Sequence, residues 1–169
     1  MWPRRSALSV LCLLTVVSLN PNLVAADMPM SAGQNLKEMS FQPLPGFPTC
    51  AAGTVQSGDP GSGPSIIAGK MDAGCTIPWH WHTPAENVIL VSGEARMEMK
   101  DGEAAALHPG AFSRMPSGHV HQFTCTSACV LYVYSDAPFD IHYVDAAGAE
   151  ISPVDALKKA GETAFLPSK

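Results

Sequence analysis

The stretch that decides the fold is GCTIPWHWHTPAENVILVSG, residues 74–93. On a β-strand, side chains two positions apart lie on the same face, so His80 and His82 point in one direction. Glu86 has the same parity, but Pro84 interrupts the strand, and the resulting bend can bring the carboxylate back toward the two imidazoles. Two histidines and one carboxylate beside open coordination positions are typical of Fe(II) sites and, with a further ligand, of other divalent metals.

The same spacing allows a simpler interpretation, in which the two histidines are polar surface residues with ordinary hydrogen bonds. Glu86 favours the metal, because it directly precedes the apolar run NVILV and a buried carboxylate needs a partner. A fourth ligand must come from elsewhere in the chain. The segment MPSGHVHQFTC offers His119 and His121, which share a strand face, and their spacing does not choose between them.

The chain from Ser65 onward predicts an all-β domain. Short apolar runs are broken by Gly and Pro at intervals of about 8–12 residues, which is typical of a sandwich or barrel. The segment EARMEM alternates strictly, so Ala95, Met97 and Met99 are expected to share one face. Asp101 and Gly102 then predict a two-residue hairpin turn.

Two segments flank this domain. Residues 27–64 are rich in Pro, Gly and Ser and predict an extended arm with one or two short strands, which either covers an edge strand or is a flexible leader. Within residues 146–169, Ser152 is a suitable N-cap, Pro153 suits the first helical turn and Gly161 is a stop signal. We therefore expect a short C-terminal helix.

The N-terminus predicts a secretory signal. Arg4 and Arg5 precede an apolar run of 13 residues, ALSVLCLLTVVSL, which is too short to span a bilayer. Val24 and Ala26 place small residues before a cleavage point at Asp27. We therefore expect a periplasmic or secreted protein, and the alternative is an uncleaved membrane anchor.

Charge argues against one class of partner. The chain has a formal net charge of −5, and removal of the signal, residues 1–26, takes away two arginines and no acids, which leaves 8 basic and 15 acidic residues. Nucleic-acid binding needs a basic patch, so no nucleic-acid partner is expected. No other stretch is long and apolar enough to cross a bilayer, so no membrane association is expected after signal cleavage.

Four cysteines remain after the signal: Cys50, Cys75, Cys125 and Cys129. An even number in an exported chain predicts two disulfides, for which three connectivities exist. On a straight strand Cys125 and Cys129 would lie about 13 Å apart, whereas a disulfide needs Cα atoms within about 7 Å. They can pair only if residues 126–128 form a turn, which would leave Cys50 for Cys75; free thiols are the alternative.

The two histidine-containing stretches together resemble the two motifs of the cupin superfamily. The first motif has a Gly, five residues, His-x-His, three or four residues, a Glu, six residues and a Gly. Every fixed position is filled in this chain: Gly74, His80, His82, Glu86 and Gly93.

The second cupin motif has a Gly, five residues, Pro-x-Gly, two residues, a His, three residues and an Asn. Gly110, Pro116, Gly118 and His121 match it, and Cys125 stands where Asn is usual. Sixteen residues separate the motifs, near the short end for the superfamily. The departure at Cys125 leaves the ligand positions intact but puts the usual role of the Asn in doubt.

The resemblance implies an all-β, single-domain cupin, a double-stranded β-helix (jelly-roll) barrel over residues 65–145 with a short helix after it. It implies one divalent metal ion, Fe, Mn or Zn, held by three histidines and a carboxylate: His80, His82, Glu86 and His121. His119 then falls on a non-ligand position at the cavity or its rim. The resemblance also implies a small-molecule ligand or substrate and a homodimer.

Four protein ligands leave two positions of an octahedral metal open, which suits a small-molecule (di)oxygenase. The competing class is a non-enzymatic protein in which the metal and the barrel hold a ligand or stabilise the fold, since one fold serves several functions. His119 is the one candidate acid or base near the site, so no catalytic residue is assigned, and His142 is interpreted as structural. Five residues are expected to form the apolar lining: Met97, Met99, Phe112, Met115 and Phe123.

Overall fold

The computed structural model describes residues 33–165, and every structural statement below concerns that part of the chain. The chain divides into residues 1–34 and 35–169, and all the elements described here lie in the second unit. The signal predicted over residues 1–26 lies outside the described residues, so it and the expected export remain predictions.

Residues 33–165 contain eleven strands, one 3-10 turn (Leu36–Glu38) and one α-helix. The strands are β1 (Gln42–Pro43), β2 (Ala51–Gly58), β3 (Ser65–Met71), β4 (Thr76–Trp81), β5 (Glu86–Ser92), β6 (Ala95–Met99), β7 (Ala105–Leu107), β8 (Phe112–Met115), β9 (His121–Cys125), β10 (Cys129–Ser135) and β11 (His142–Tyr143), and the helix is α1 (Pro153–Lys159). The prediction of a mostly β domain with one short helix is confirmed.

The strands form two antiparallel sheets. The six-stranded sheet has the order β1-β2-β3-β10-β5-β8, and the five-stranded sheet has the order β11-β4-β9-β6-β7. Residues 42–58 of the predicted arm supply β1 and β2, which continue the six-stranded sheet beyond β3. This part of the arm therefore covers the edge of β3.

The core lies between the two sheets and follows the period-two burial of their strands. In β5 the buried residues Val88 and Leu90 alternate with the exposed Ile89 and Val91. Their buried side chains pack in one cluster with residues of the five-stranded sheet, which include Ala95, Met97 and Phe123. The predicted alternation of EARMEM is confirmed, since Ala95 and Met97 are buried and Arg96 is exposed.

The C-terminal helix begins and ends as its sequence predicts. The Ser152 hydroxyl accepts a hydrogen bond from the Asp155 N–H (3.2 Å), Pro153 occupies the first turn, and Gly161 beyond the end adopts a φ of 78°. Leu157 is fully buried and packs with Tyr143 at the five-stranded sheet. Within residues 33–165 no helix is long and apolar enough to cross a membrane.

Both predicted disulfides are present, Cys50–Cys75 and Cys125–Cys129, each with Cα atoms 5.8 Å apart. The second forms because residues 126–128 leave the strand direction, where the Thr126 and Ser127 N–H groups donate to the Glu94 carbonyl (2.8 and 3.2 Å). Each disulfide links a residue beside or in a strand of one sheet to its counterpart in the other.

The two-residue turn predicted at Asp101 and Gly102 is wrong. Strand β6 ends at Met99 and β7 begins at Ala105, so five residues connect the two strands. A two-residue type I′ turn needs positive φ at both central residues, and neither Asp101 nor Gly102 has it. The hairpin pairing is therefore as predicted, but the connection is longer.

The prediction that Phe112 belongs to the apolar lining is also wrong. The side chain of Phe112 is 63% exposed. The antiparallel register of β5 and β8 places Phe112 opposite the exposed Ile89, on the outer face of the six-stranded sheet. The other four residues expected in the lining are buried or half-buried: Met97, Met99, Met115 and Phe123.

Candidate metal centre

Three histidines converge on the inner face of the five-stranded sheet. His80 and His121 lie opposite each other in the β4–β9 ladder, and His82 follows directly after the end of β4. The ring centroids are 4.2 Å apart for His80 and His121, 4.8 Å for His80 and His82, and 5.4 Å for His82 and His121. One ligand atom of each lies within 4.8 Å of the other two, and all three rings are buried.

Pro78 shapes β4, which carries His80 and is followed directly by His82. Proline has no N–H to give to a ladder, and the register between β4 and β9 shifts between Ile77 and His80. The Pro78 carbonyl accepts a hydrogen bond from His80 Nδ1 (2.6 Å). The irregularity therefore both turns the strand and fixes the orientation of the His80 ring.

The three rings share one tautomer. Each Nδ1 bonds to a backbone carbonyl: His80 to Pro78 (2.6 Å), His82 to Asp140, and His121 to His119 (2.9 Å). A carbonyl can only accept, so each Nδ1 carries a proton, and in the neutral ring each Nε2 keeps its lone pair. This backbone support is the arrangement that fixes a histidine as a metal ligand.

Burial lowers the pKa of two of these imidazoles. Burial, followed by the neighbouring His121 and His82, holds the pKa of His80 well below its usual range. Burial also lowers the pKa of His82, against the opposing influence of Glu86. A metal binds only the neutral ring, so both shifts favour binding at neutral pH.

Glu86 reaches the histidines from the other sheet. The chain bends at Thr83 and Pro84 as it passes from β4 to β5, and Glu86 is the first residue of β5. Its Oε2 lies 3.2 Å from His121 Nε2 and 3.6 Å from His82 Nε2. Burial by itself would raise the pKa of Glu86, but His82 and the hydrogen bond with His121 outweigh burial and lower it. The carboxylate is therefore ionised beside two of the three rings.

The donors present fit a divalent metal. Among residues 33–165, His82 Nε2 is a buried nitrogen without a hydrogen-bond partner, and native structures leave few such atoms unexplained. Three imidazole nitrogens with an ionised carboxylate beside them are suitable donors for Fe, Mn or Zn. The ligand atoms that all lie within 4.8 Å of one another belong to His80, His82 and His121, and Glu86 lies beside them.

Residues 139 and 140 support the site, and sequence reasoning missed them. The Phe139 ring stacks on the His82 ring (centroids 4.3 Å apart, planes at 23°), and the Asp140 carbonyl accepts from His82 Nδ1. The Asp140 carboxylate accepts the Thr83 N–H (2.7 Å), which ties this segment to the bend. The run PFDIHYVD around Phe139 is aromatic and acidic, but nothing in it marks Phe139 or Asp140 as partners of His82.

Two other histidines lie outside the group. His119 is half-buried, and its carbonyl supports His121, while its Nδ1 has no partner among the described residues. His142 stacks on Trp81 (4.0 Å, 9°), with its Nε2 3.2 Å from Asp140 Oδ2. His142 therefore packs against the face of β4 opposite the three convergent rings, in keeping with a structural role.

A cavity of about 200 Å³ adjoins the histidines between the two sheets. Glu86 and Phe139 belong to its wall, and both also contact the histidine cluster. No histidine of the described region belongs to this wall, so Glu86 and Phe139 are the residues that join the cavity to the histidine cluster.

The fold and site together define an antiparallel two-sheet β domain with a buried group of histidines that could hold a metal. Residues 69–134 match the family model of the cupin domain. This chain therefore contains a cupin domain, as its two motifs predict.

Solved structures give the same fold. KdgF from Halomonas sp. is 19% identical with a TM-score of 0.50, and the match covers 60% of this chain and 92% of that one. The structure of the DMSP lyases RdDddP and RnDddQII is 22% identical with a TM-score of 0.50, and the match covers 56% of this chain and about half of that one (53%). At these identities the likeness shows the fold alone. No curated protein matches the sequence.

Proposed function

We propose that this protein is an exported, metal-binding cupin whose single site holds one divalent ion on His80, His82, Glu86 and His121. The observation that carries the proposal is the set of three buried imidazoles that share one tautomer and have ligand atoms within 4.8 Å of one another. Glu86 completes the set, because its carboxylate lies within 3.6 Å of two Nε2 atoms. On this proposal, the two sheets close as the jelly-roll barrel of the superfamily.

Two features support export to the periplasm or outside the cell. The N-terminal run has the pattern of a secretory signal. The two disulfides in the described region are stable in an oxidising compartment and rare in the cytoplasm.

As an enzyme, the protein would be a small-molecule (di)oxygenase. A bound ion with open positions would supply Lewis-acid or redox chemistry there. The chain's own residues hold the three rings in one tautomer, keep the carboxylate ionised and provide an adjoining cavity. The alternative is a non-enzymatic binding protein. One observation supports this alternative. Among the described residues, the ionisable side chains of the cavity wall are Glu86 and Lys70, and neither is an evident general base.

Metal analysis tests the site. Protein purified from its native compartment should contain about one equivalent of a divalent metal, since one four-ligand site binds one ion. The double variant His80→Ala/His82→Ala should lose it. His108→Ala is the matched control, because His108 is exposed and distant in sequence from both motif histidines, and it should retain the metal. Unchanged metal in the double variant would refute the ligand assignment.

Oxygen uptake separates the enzyme from the binder. Protein reconstituted in turn with Fe, Mn and Zn would be offered catechols, flavonols and keto acids in an oxygen-electrode assay. Consumption with one metal and one substrate class would establish oxygenase activity. Silence with every reconstituted metal would favour the binding protein.

We further propose that two copies pair through the outer face of the six-stranded sheet. Phe112 lies opposite Ile89, Ile89 opposite Tyr132, and Tyr134 opposite Ile66, which forms a continuous apolar surface across four strands. Within the described strands β3, β5, β8 and β10, the outer face carries no acidic side chain. A negatively charged chain can therefore approach its own copy there without carboxylate repulsion.

A further inference from the structure

We infer that the cavity beside the histidines selects a compact apolar molecule, about the size of one substituted ring, that carries one polar group directed at the metal centre. This inference deepens the proposed function and rests on it for the position of the ion. Polyhydroxylated molecules such as sugars and sugar acids are disfavoured. The size of the cavity, the chemistry of its wall and the position of Glu86 on that wall determine this selection.

The size limits the ligand. The cavity volume is about 200 Å³. An apolar cavity of about 150 Å³ accommodates benzene, so this one suits a single ring with a small substituent or an aliphatic group of similar volume. Two fused rings with several substituents would require the wall to move.

The wall of the cavity is apolar on both sheets. Val88, Leu131 and Val133 contribute from the six-stranded sheet, and Ile77, Met97 and Phe123 from the five-stranded sheet. A hydroxyl placed against these side chains would lose its hydrogen bonds to water and gain none. A ligand with a hydroxyl on most carbons would suffer this loss several times, whereas a hydrocarbon body gains from burial.

The polar groups of the wall orient the ligand. Among the described residues that line the cavity, Glu86 and Lys70 carry charge. Glu86 lies at the histidines, while Lys70 is exposed and its Nζ lies 4.4 Å from the centre of the Phe41 ring. A polar group on the ligand therefore finds the open metal positions at the Glu86 end, and its apolar body occupies the interior.

Phe139 is the specificity-determining residue in this arrangement. Its ring lines the cavity and stacks on His82, so it lies at the junction of the apolar body and the metal-directed group. Its N–H donates to the Pro60 carbonyl (2.8 Å), which anchors the backbone at this position. Truncation of this ring should enlarge the cavity beside the metal centre without removing a metal ligand.

Calorimetric titration tests the inference with three probes: toluene, benzoate and gluconate. Toluene has the apolar body alone, benzoate adds one metal-directed group, and gluconate has a carboxylate with a hydroxylated chain. We expect toluene to bind both metal-free and zinc-loaded protein with a negative heat-capacity change, which marks apolar burial. Benzoate should bind the zinc-loaded form at least about tenfold tighter than the metal-free form, and gluconate at least about tenfold more weakly than benzoate.

Variants locate the binding. Val133→Phe fills the cavity and should weaken toluene binding at least about tenfold, while Val91→Phe, on the exposed outer face of β5, is the matched control and should leave it unchanged. Phe139→Ala should improve binding of para-substituted toluenes relative to toluene itself, which gives a second test if the filled variant is unstable. Gluconate binding as tight as benzoate, or no toluene binding, would overturn the inference.

The same titrations separate this inference from the metal centre. If the metal assignment fails, zinc will not load, but toluene will still bind and Val133→Phe will still block it. If the apolar cavity fails, zinc will load stoichiometrically, but toluene will not bind. Equal benzoate affinity with and without loaded zinc would overturn the proposed orientation.

Discussion

The five-stranded sheet and the six-stranded sheet differ in what their inner faces carry. The five-stranded sheet supplies His80 and His121 from adjacent strands, with His82 directly after one of them. The six-stranded sheet supplies one charged group at the site, Glu86, and then continues inward with apolar residues such as Leu90. The five-stranded sheet therefore holds the three imidazoles, the six-stranded sheet adds one carboxylate, and both sheets supply buried apolar residues to the core.

This difference teaches that stability and metal binding can be separated. Backbone carbonyls support all three buried histidines, and burial lowers the pKa of His80 and His82, so the folded state does not depend on three charged rings. The buried apolar residues of the six-stranded sheet are not among the proposed ligands and contribute through burial. Substitutions in one sheet should therefore affect one property much more than the other.

Leu90→Ala should give the largest loss of stability. Leu90 is fully buried in the six-stranded sheet, and such a truncation removes about 2–5 kcal/mol from the free energy of unfolding. The folded variant should still bind one metal per chain. His82→Ala should lose the metal and cost less than Leu90→Ala in metal-free protein, because it removes the hydrogen bond to the Asp140 carbonyl but also a buried Nε2 without a partner in the described region.

Urea unfolding of the metal-free protein measures the loss of stability in each variant, and metal analysis of the same samples measures the metal that each variant retains. Val91→Ala is the control on the same strand, since Val91 is 43% exposed and should change the free energy by less than about 0.5 kcal/mol. The comparison of the two sheets fails if folded Leu90→Ala loses its metal.

The two disulfides join the two sheets and should differ in strength. Cys50 and Cys75 are 25 residues apart, whereas Cys125 and Cys129 are 4 apart. Since stabilisation grows with the length of the closed loop, replacement of the first pair by alanines should cost about 3.5 kcal/mol and of the second about 2 kcal/mol. Unfolding curves without reductant measure both losses. A larger loss from the short loop would mean that local packing, and not loop entropy, dominates.

Local patterns in the sequence predicted the parts of this fold that depend on neighbouring residues. The all-β domain from Ser65 onward, the shared face of His80 and His82, and the Ser152 cap each follow from spacing and residue type alone. His121 is different. Its position opposite His80 depends on the register of two strands that are distant in sequence. Spacing alone therefore did not decide whether His119 or His121 is the fourth ligand, and the resemblance to the cupin motifs made that choice.

Other features of the site had no local signal. The Asp140 carbonyl that supports His82 is 58 residues away in sequence, and every residue has a carbonyl, so nothing marks this one in advance. Phe112 looked like a core residue because it is large and apolar. Its register opposite Ile89 turns it outward, and that register is a property of the assembled sheet. The pairing of distant segments thus decides which way a side chain points and which group supports it, and residue type alone does not.

The outer face of the six-stranded sheet gives the prediction with the smallest expected effect on folding. Ile89 and Phe112 are 47% and 63% exposed and lie opposite each other, so Ile89→Lys/Phe112→Lys should change the free energy of monomer unfolding by less than about 0.5 kcal/mol per site. It should nevertheless convert a dimer into a monomer in sedimentation velocity, because it places four lysines across a two-fold contact. Val154→Lys on α1 is the matched control, since Val154 is apolar and 44% exposed but lies away from this sheet. A wild-type monomer, or a dimer that survives both lysines, would show that this apolar face is not the surface on which two copies meet.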